Sequence, residues 1–287
     1  MEGIAGLPVV DHHCHLSPAG EGVKAAARFA AAGGTHLFLA TQNYDAQVPT
    51  DLNAYRRQFE TTERLAQDVR ASSGVVVYVV VAPYPIDLVR AAETLGVEGA
   101  LALHREALDL AAAWVREQRA VALGEVGWPH FPVPAEVAAA QREAFRYALG
   151  AARDAGCPAV VHCPDLDAAG WRELQEEARR AGIPPHHVVK HYARSRLEPT
   201  SGVELVPSYL ARRELVTEVL QDPGPWFLET DFLDDPARPG AVLDLATVPR
   251  RAIAVARRSA QDAERLATPF LQSVRRVYGL TPELGAR

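Results

Sequence analysis

Eight short apolar segments recur along this 287-residue chain, and most of them are followed by a longer stretch rich in Ala, Leu, Glu and Arg. Segments that are apolar throughout are typical of strands buried between helices in a parallel sheet. Eight strand–helix units in a chain of this length predict an α/β fold, a closed (β/α)8 TIM barrel, with an open doubly wound sheet as the alternative. The predicted strands are residues 7–13, 35–41, 75–83, 120–128, 158–164, 187–193, 203–209 and 225–232.

The whole chain, residues 1–287, is predicted to form one domain. No Pro-, Gly- or Ser-rich linker long enough to divide it is present, and barrels of this size commonly form a single unit. The third unit is the least regular, with extra helix predicted between Ile86 and Gln118. The stretch from about Ala241 to Tyr278 is also predicted to be mostly helical.

Composition restricts the compartment and the partners. No apolar stretch approaches the roughly 20 residues that span a bilayer, and the first residues lack the pattern of a secretory signal. Three cysteines are an odd number for a disulfide framework, so a reducing, cytoplasmic location without membrane association is expected. The net charge of −6 provides no general electrostatic footprint for nonspecific binding to nucleic acid.

Histidines are concentrated at the end of the first predicted strand, in VVDHHCHL (residues 9–16). Side chains alternate across a strand, so His13 and His15 are expected to share one face and to point into the barrel mouth. By the same alternation, His12 and Cys14 are expected to face the helix layer. A pair of histidines two residues apart on one strand can bind the same metal ion.

Four later strands each carry a polar residue near the carboxyl end, namely Glu125, His162, His191 and Asp231. The carboxyl ends of barrel strands meet at one mouth, where catalytic groups gather. Taken singly, these residues could be core histidines, an ion-pair partner and a helix cap. Buried together without compensation, each would cost several kcal/mol, and a divalent cation would supply that compensation. The joint pattern therefore predicts a metal site.

Further polar residues follow the strands and are candidates for contact with substrate. His130, Arg194 and Arg196 are predicted to line the mouth, with a surface role as the alternative for each. Lys190 could bridge two metal ions if it were carbamylated. Its strand parity is opposite to that of His191, however, and Glu125 already lies where a bridge is needed.

Five stretches resemble, in order, the TatD-related metal-dependent hydrolases of the amidohydrolase superfamily, whose best-known members are deoxyribonucleases. They are DHHCHL (11–16), GEVG (124–127), PAVVHC (158–163), KHY (190–192) and LETDF (228–232). The nuclease members usually continue the Glu motif as Gly-Leu-Asp, whereas Gly127, Trp128 and Pro129 stand here. Their fifth-strand His is typically followed within two residues by an Arg, and Cys163 and Pro164 stand here. The resemblance is therefore to a divergent member.

The resemblance implies a dinuclear site for two divalent ions, with Zn, Mn, Ni, Fe and Mg as the candidates. One set of ligands would be His13, His15, Glu125 and Asp231, and the other would be Glu125, His162 and His191, with Glu125 bridging. Metal-bound hydroxide would be the nucleophile, and Asp231 would also accept its proton as general base. The substrate would be a phosphodiester such as DNA. The alternatives are a small amide, lactone or phosphoester, or a barrel that binds metal without catalysis.

Overall fold

The computed structural model describes residues 6–45 and 47–283, and strands and helices alternate along them. The strands are β1 (Val10–His15), β2 (His36–Ala40), β3 (Val76–Val81), β4 (Ala122–Gly127), β5 (Ala159–His162), β6 (Val188–Ala193), β7 (Val206–Leu210), β8 (Phe227–Glu229) and β9 (Phe232–Leu233). They form one sheet in the order β8-β7-β6-β5-β4-β3-β2-β1-β9, and every pairing in it is parallel.

The sheet closes on itself because the predicted eighth strand is divided into β8 and β9. Ser208 of β7 pairs with Phe227 of β8, and Cys14 of β1 pairs with Phe232 of β9. Asp231 lies between the two segments with a φ of 46°, and its N–H donates to the carbonyl of His13 at 3.0 Å. The sheet therefore continues from β7 through β8 and β9 to β1, and the predicted (β/α)8 barrel is confirmed.

The helices are α1 (Val23–Ala31), α2 (Leu52–Ser73), α3 (Pro85–Arg116), α4 (Ala135–Ala155), α5 (Ala168–Ala181), α6 (Arg213–Val219), α7 (Thr247–Ala256), α8 (Ala260–Arg265) and α9 (Ser273–Tyr278). α3 is interrupted at Gly96, whose φ of 70° and ψ of 165° are not helical, so it is two helical segments and contains the extra helix predicted for the third unit. β6 is followed by a 3₁₀ turn at Pro199–Ser201 in place of an α-helix. In the described part of the chain, no helix is both long and apolar enough to cross a bilayer.

The strands separate two apolar layers. Inner-face residues such as Phe38, Val80 and Val160 belong to one buried cluster. The alternate residues of the same strands, such as Leu39 and Val161, pack against the surrounding helices in another. Burial on both faces explains why the strand segments are apolar throughout.

The C-terminal helix α9 closes the amino-terminal end of the barrel. It packs against the 3₁₀ turn Pro185–His187, which precedes β6. Its last residue, Tyr278, reaches the inner face, where its ring centroid lies 4.7 Å from that of Phe38 and 5.9 Å from that of Phe227. Tyr278 therefore fills the amino-terminal end of the barrel interior, and the polar residues lie at the opposite mouth.

Candidate metal centre

A β-bulge shapes the first strand. Asp11 pairs with Leu37, but Cys14 pairs with Leu39, so three steps along β1 correspond to two along β2. The extra residue breaks the simple alternation of side chains. Residues on both sides of the bulge can consequently face the same way.

The bulge places His12 on the inner face together with His13 and His15. The His12 ring is stacked on that of Phe227 at a centroid distance of 3.9 Å, and Phe227 belongs to the inner layer. The prediction that His12 faces the helix layer is therefore wrong, because it assumed regular alternation. The prediction for Cys14 is confirmed, since this residue packs in the helix-facing cluster.

Glu125 lies at the centre of the site, between two pairs of histidines. Its Oε1 is 3.0 Å from Nε2 of His13 and 3.0 Å from Nε2 of His15. Its Oε2 is 2.9 Å from Nδ1 of His162 and 3.4 Å from Nε2 of His191. One carboxylate thus faces ligand atoms from three other strands.

Asp231 completes the cluster from the turn between β8 and β9. Its Oδ1 lies 3.8 Å from Nε2 of His13 and 3.7 Å from Nε2 of His15, and its side chain is 16% exposed. The structure therefore brings all six predicted ligands together at the carboxyl ends of the strands, although they are far apart in sequence.

Glycine is required where β4 approaches β5. Gly127 has a φ of 142°, and a Cβ atom there would lie 2.0 Å from the carbonyl oxygen of His162. The backbone N–H of Trp128 donates to the same oxygen at 3.1 Å. The last residue of the GEVG motif therefore lets the strands that carry Glu125 and His162 come close enough for their side chains to meet.

The donor set fits divalent cations. Ligands about 2.0–2.2 Å from an ion lie roughly 3.0–3.5 Å from one another, which is close to the spacing around Glu125. Two groups of three residues have ligand atoms within 4.8 Å of one another: His13, His15 and Asp231, and His13, Glu125 and His191. Nε2 of His162 is buried without a hydrogen-bond partner in the described residues. Imidazole and carboxylate are ligands of Zn, Mn, Ni and Fe.

The histidines hold Glu125 as an anion. Burial by itself would raise the pKa of this carboxyl, but the charge of His191 and hydrogen bonds from His13, His15 and His162 outweigh it. The pKa of Glu125 is therefore well below its usual range. An ionised carboxylate with two oxygens facing different histidine pairs is suited to bridging two cations.

The pKa values of the other site residues are also shifted, some upward and some downward. Burial raises the pKa of Asp231 to about 7, although His191 and His15 oppose the shift. Burial lowers the pKa of His13 to about 4. For His191, burial also favours the neutral form, but Glu125 and Glu229 outweigh it and raise the pKa to about 10. A cation that binds His191 must therefore displace a proton.

Glu229 is a polar residue of this centre that sequence reasoning missed. Its side chain is fully buried, its Oε1 accepts the N–H of Tyr192 at 2.7 Å, and the same oxygen lies 3.5 Å from Nδ1 of His191. The signal was present in the sequence, because Glu229 is two residues after the inward-facing Phe227 in an alternating strand.

A cavity of about 420 Å³ opens above the cluster. Its wall includes Tyr84, Asp87 and Arg90 from the start of α3, and Leu233, Arg238 and Val242 from the segment after β8. The edge of the Tyr84 ring packs against His162 at a centroid distance of 5.3 Å. The segment after β8 therefore contributes to the wall of the candidate active site.

The three residues predicted to contact substrate have different positions. His130 lines the cavity, and its ring centroid is 5.8 Å from that of His162. Arg194 lies 3.7 Å from Asp165. Arg196 makes a two-pronged ion pair with Asp222 at 2.6 and 3.0 Å. Neither arginine is among the residues that line the cavity.

Comparison with known proteins agrees with this geometry. A family model described as TatD related DNase matches residues 10–279. The chain belongs to the TatD-related family. An uncharacterised protein of Methanocaldococcus jannaschii is 27% identical to this TatD-family chain over 288 residues, covering 99% of the chain and 100% of that protein.

Two solved structures share the fold. A TatD-like protein of Archaeoglobus fulgidus is 16% identical with a TM-score of 0.61, and covers 94% of this TatD-family chain and 100% of its own. A TatD homologue of Escherichia coli is also 16% identical with a TM-score of 0.61, covering 95% and 98%. At this identity the likeness shows the fold alone.

Proposed function

We propose that this TatD-family protein is a metal-dependent hydrolase with a dinuclear site at the carboxyl ends of its strands. The observation that carries the proposal is the position of Glu125, which directs one oxygen to each of two histidine pairs. A hydrogen-bonded core carboxylate would need one or two partners, whereas this one is surrounded by four imidazoles, which can become ligands when a cation displaces their protons. We call His13, His15 and Asp231 the first ligand group and His162 with His191 the second, with Glu125 shared.

Divalent cations bound there would lower the pKa of a coordinated water and polarise a phosphoryl or carbonyl oxygen of the substrate. Asp231 would accept the proton of the attacking water. Burial raises the pKa of this carboxyl in the absence of a cation, and its partial exposure leaves it within reach of the cavity. A bound cation would lower this pKa and keep the carboxylate ionised.

A phosphodiester is the first candidate substrate. Arg90 lies on the cavity wall and has no ion pair within 4 Å in the described residues, so its guanidinium is available to a phosphate oxygen. His130 lies on the same wall. A cavity of about 420 Å³ is within the usual range for small ligands, so a single-stranded end or a nucleotide-sized diester fits the proposal better than a duplex.

A small amide, lactone or phosphoester is the second candidate, and the scarcity of positive charge in the cavity favours it. Arg238 is engaged by Asp235 at 2.7 Å. Asp87 contributes a buried carboxyl to the wall, and its Oδ2 has no hydrogen-bond partner in the described residues. This buried carboxyl adds no positive charge that would attract a polyanion, and it can form a hydrogen bond with a neutral substrate.

The experiment is a substrate panel with chelator-treated protein reloaded separately with Zn, Mn, Ni, Fe or Mg. Single-stranded DNA and a chromogenic phosphodiester test the first candidate, and chromogenic esters, lactones and amides test the second. We expect Glu125→Gln and Asp231→Asn to reduce turnover by orders of magnitude. Glu177→Gln, at the ion pair between Glu177 of α5 and Arg146 of α4, is the matched control.

Wild-type turnover by Asp231→Asn would contradict the proposed proton acceptor. A fully loaded protein that turns over none of these substrates would support the non-catalytic alternative. The three cysteines are free and buried, which supports our proposal of a reducing, cytoplasmic location.

A further inference from the structure

A fully buried carboxylate connects the second ligand group with the barrel interior. Glu229 is 0% exposed. Its Oε1 lies 3.5 Å from Nδ1 of His191, and its Oε2 lies 4.0 Å from Nδ1 of His12. Neither Oε2 of Glu229 nor Nδ1 of His191 has a hydrogen-bond partner among the described residues. Nδ1 of His191 therefore faces Oε1 of Glu229, and Oε2 of Glu229 faces Nδ1 of His12.

The chain of polar groups continues from His12 to the floor of the barrel. Nε2 of His12 is 2.7 Å from the hydroxyl of Tyr278, and Nδ1 is 3.0 Å from Oγ of Ser208. The His12 ring is held between apolar neighbours, with Phe227 stacked on it at 3.9 Å. Tyr278 belongs to α9, so the C-terminal helix is linked to the candidate metal centre through two intervening side chains.

The protons of this chain can be assigned consistently. The Tyr278 phenol donates to Nε2 of His12, which leaves the His12 proton on Nδ1, directed to Ser208 and Glu229. Glu229 accepts from the N–H of Tyr192, and its Oε1 faces Nδ1–H of His191 at 3.5 Å. Once a cation displaces the other proton of His191, the lone pair of Nε2 faces the site. In this assignment no buried donor faces another donor.

We propose that Glu229 is a positioning residue for His191, and that His12 and Tyr278 hold Glu229 in place from the barrel floor. This inference rests on the proposed function of the cluster as a metal centre. Glu229 would fix the proton of His191 on Nδ1 and so direct Nε2 to the cation. It would also make the imidazole a stronger donor, as carboxylates behind ligating histidines do.

The test is the affinity of the full-length protein for Zn²⁺ and Co²⁺, measured by competition with a chromophoric chelator. We expect Glu229→Gln to bind roughly 10- to 100-fold more weakly than wild type, the range seen when such outer partners are removed. Tyr278→Phe keeps the ring but loses the hydroxyl, and we expect an affinity between those of Glu229→Gln and wild type. Glu63→Gln, at an outer ion pair with Arg119, is the matched control and should bind like wild type.

The visible spectrum of the Co²⁺-loaded protein distinguishes positioning from simple destabilisation. A change in the orientation or basicity of His191 shifts the ligand-field bands, whereas a loss of fold stability alone lowers Tm and leaves the bands in place. We expect shifted bands in Glu229→Gln and a smaller shift in Tyr278→Phe.

The outcomes separate the two proposals. Tight binding by wild type together with wild-type affinity and bands in Glu229→Gln would overturn the inference and leave the proposed function standing. A wild-type chain that takes up neither ion would overturn both. If Glu229→Gln does not fold, Tyr278→Phe decides: unchanged affinity and bands in that variant would refute the link from the barrel floor.

Discussion

Replacing Glu125 with Gln should abolish most of the stabilisation that cations confer on this protein. The side chain keeps its size, but one oxygen becomes an amide nitrogen, and the negative charge between the histidine pairs is lost. Oε1 and Oε2 lie within 3.4 Å of four imidazole nitrogens, so either orientation of the amide turns a non-ligating NH2 group towards one pair. The shared ligand is then lost from one cation site.

The size of the effect follows from linkage. A cation present at 1,000 times its Kd stabilises the native state by about 4.1 kcal/mol. Unfolding entropy of about 2.1 cal/mol/K per residue amounts to roughly 0.6 kcal/mol/K for 287 residues, so Tm should rise by about 7 °C. If the variant binds about 100-fold more weakly, the same concentration contributes about 1.4 kcal/mol, or roughly 2 °C.

The assay is scanning calorimetry of chelator-treated protein before and after addition of Zn²⁺ or Mn²⁺, at cation concentrations referred to the wild-type Kd. Glu177→Gln, which alters an ion pair on α5, should show the full wild-type rise. The reasoning would be refuted if Glu125→Gln gained as many degrees as wild type. If neither cation raised the Tm of the wild-type protein, the metal centre itself would be refuted.

Two further predictions concern ionisation, and two concern single contacts. Because the pKa of His191 is about 10, its proton competes with a cation below that pH. The apparent affinity for the cation should therefore fall about tenfold for each unit by which the pH is lowered, and calorimetry in different buffers should detect a released proton. Burial raises the pKa of Asp87 to about 7, so the native carboxyl stays protonated while the unfolded one ionises near pH 4. The contribution of Asp87 to stability should therefore be lost as the pH rises from about 4 to 7, by at most about 4 kcal/mol, and denaturant titrations of Asp87→Asn should show a correspondingly smaller fall than wild type. The Asp234 carboxylate accepts three backbone N–H groups of the loop after β1, at 2.7–2.9 Å, so Asp234→Ala should cost about 2–4 kcal/mol and increase hydrogen exchange there. Arg90→Gln should raise KM for any anionic substrate, whereas Arg196→Gln should leave KM unchanged; the reverse order would place substrate outside the cavity.

Local patterns were sufficient to predict the barrel and the convergence of six polar residues at its mouth. Apolar runs alternating with amphipathic stretches predict parallel strands covered by helices, because each strand must be buried on both faces. The position of Glu125 or His162 at the end of such a run predicts its place at the mouth, because all parallel strands end on the same side. These inferences need no knowledge of which strand lies beside which.

Other features could not be predicted because they depend on partners distant in sequence. The bulge in β1 is defined by pairing with β2, and it reversed the side on which His12 was expected. Arg196 follows a strand as a substrate-binding residue would, but its neighbour in space is Asp222, so the structure places it in an ion pair. The side chains of residues that follow a strand have no direction fixed by the sequence, because loops lack the regular alternation of side chains found in strands.

The sequence alone determined the period of burial, and with it the barrel and the six polar residues that converge at its mouth. Only the tertiary structure decided how those residues are supported. Glu229, His12 and Tyr278 come from opposite ends of the chain and meet because α9 closes the floor of the barrel. Periodicity specifies which face a side chain occupies, whereas contacts between strands and helices that are far apart in the chain specify which groups share a proton or a cation.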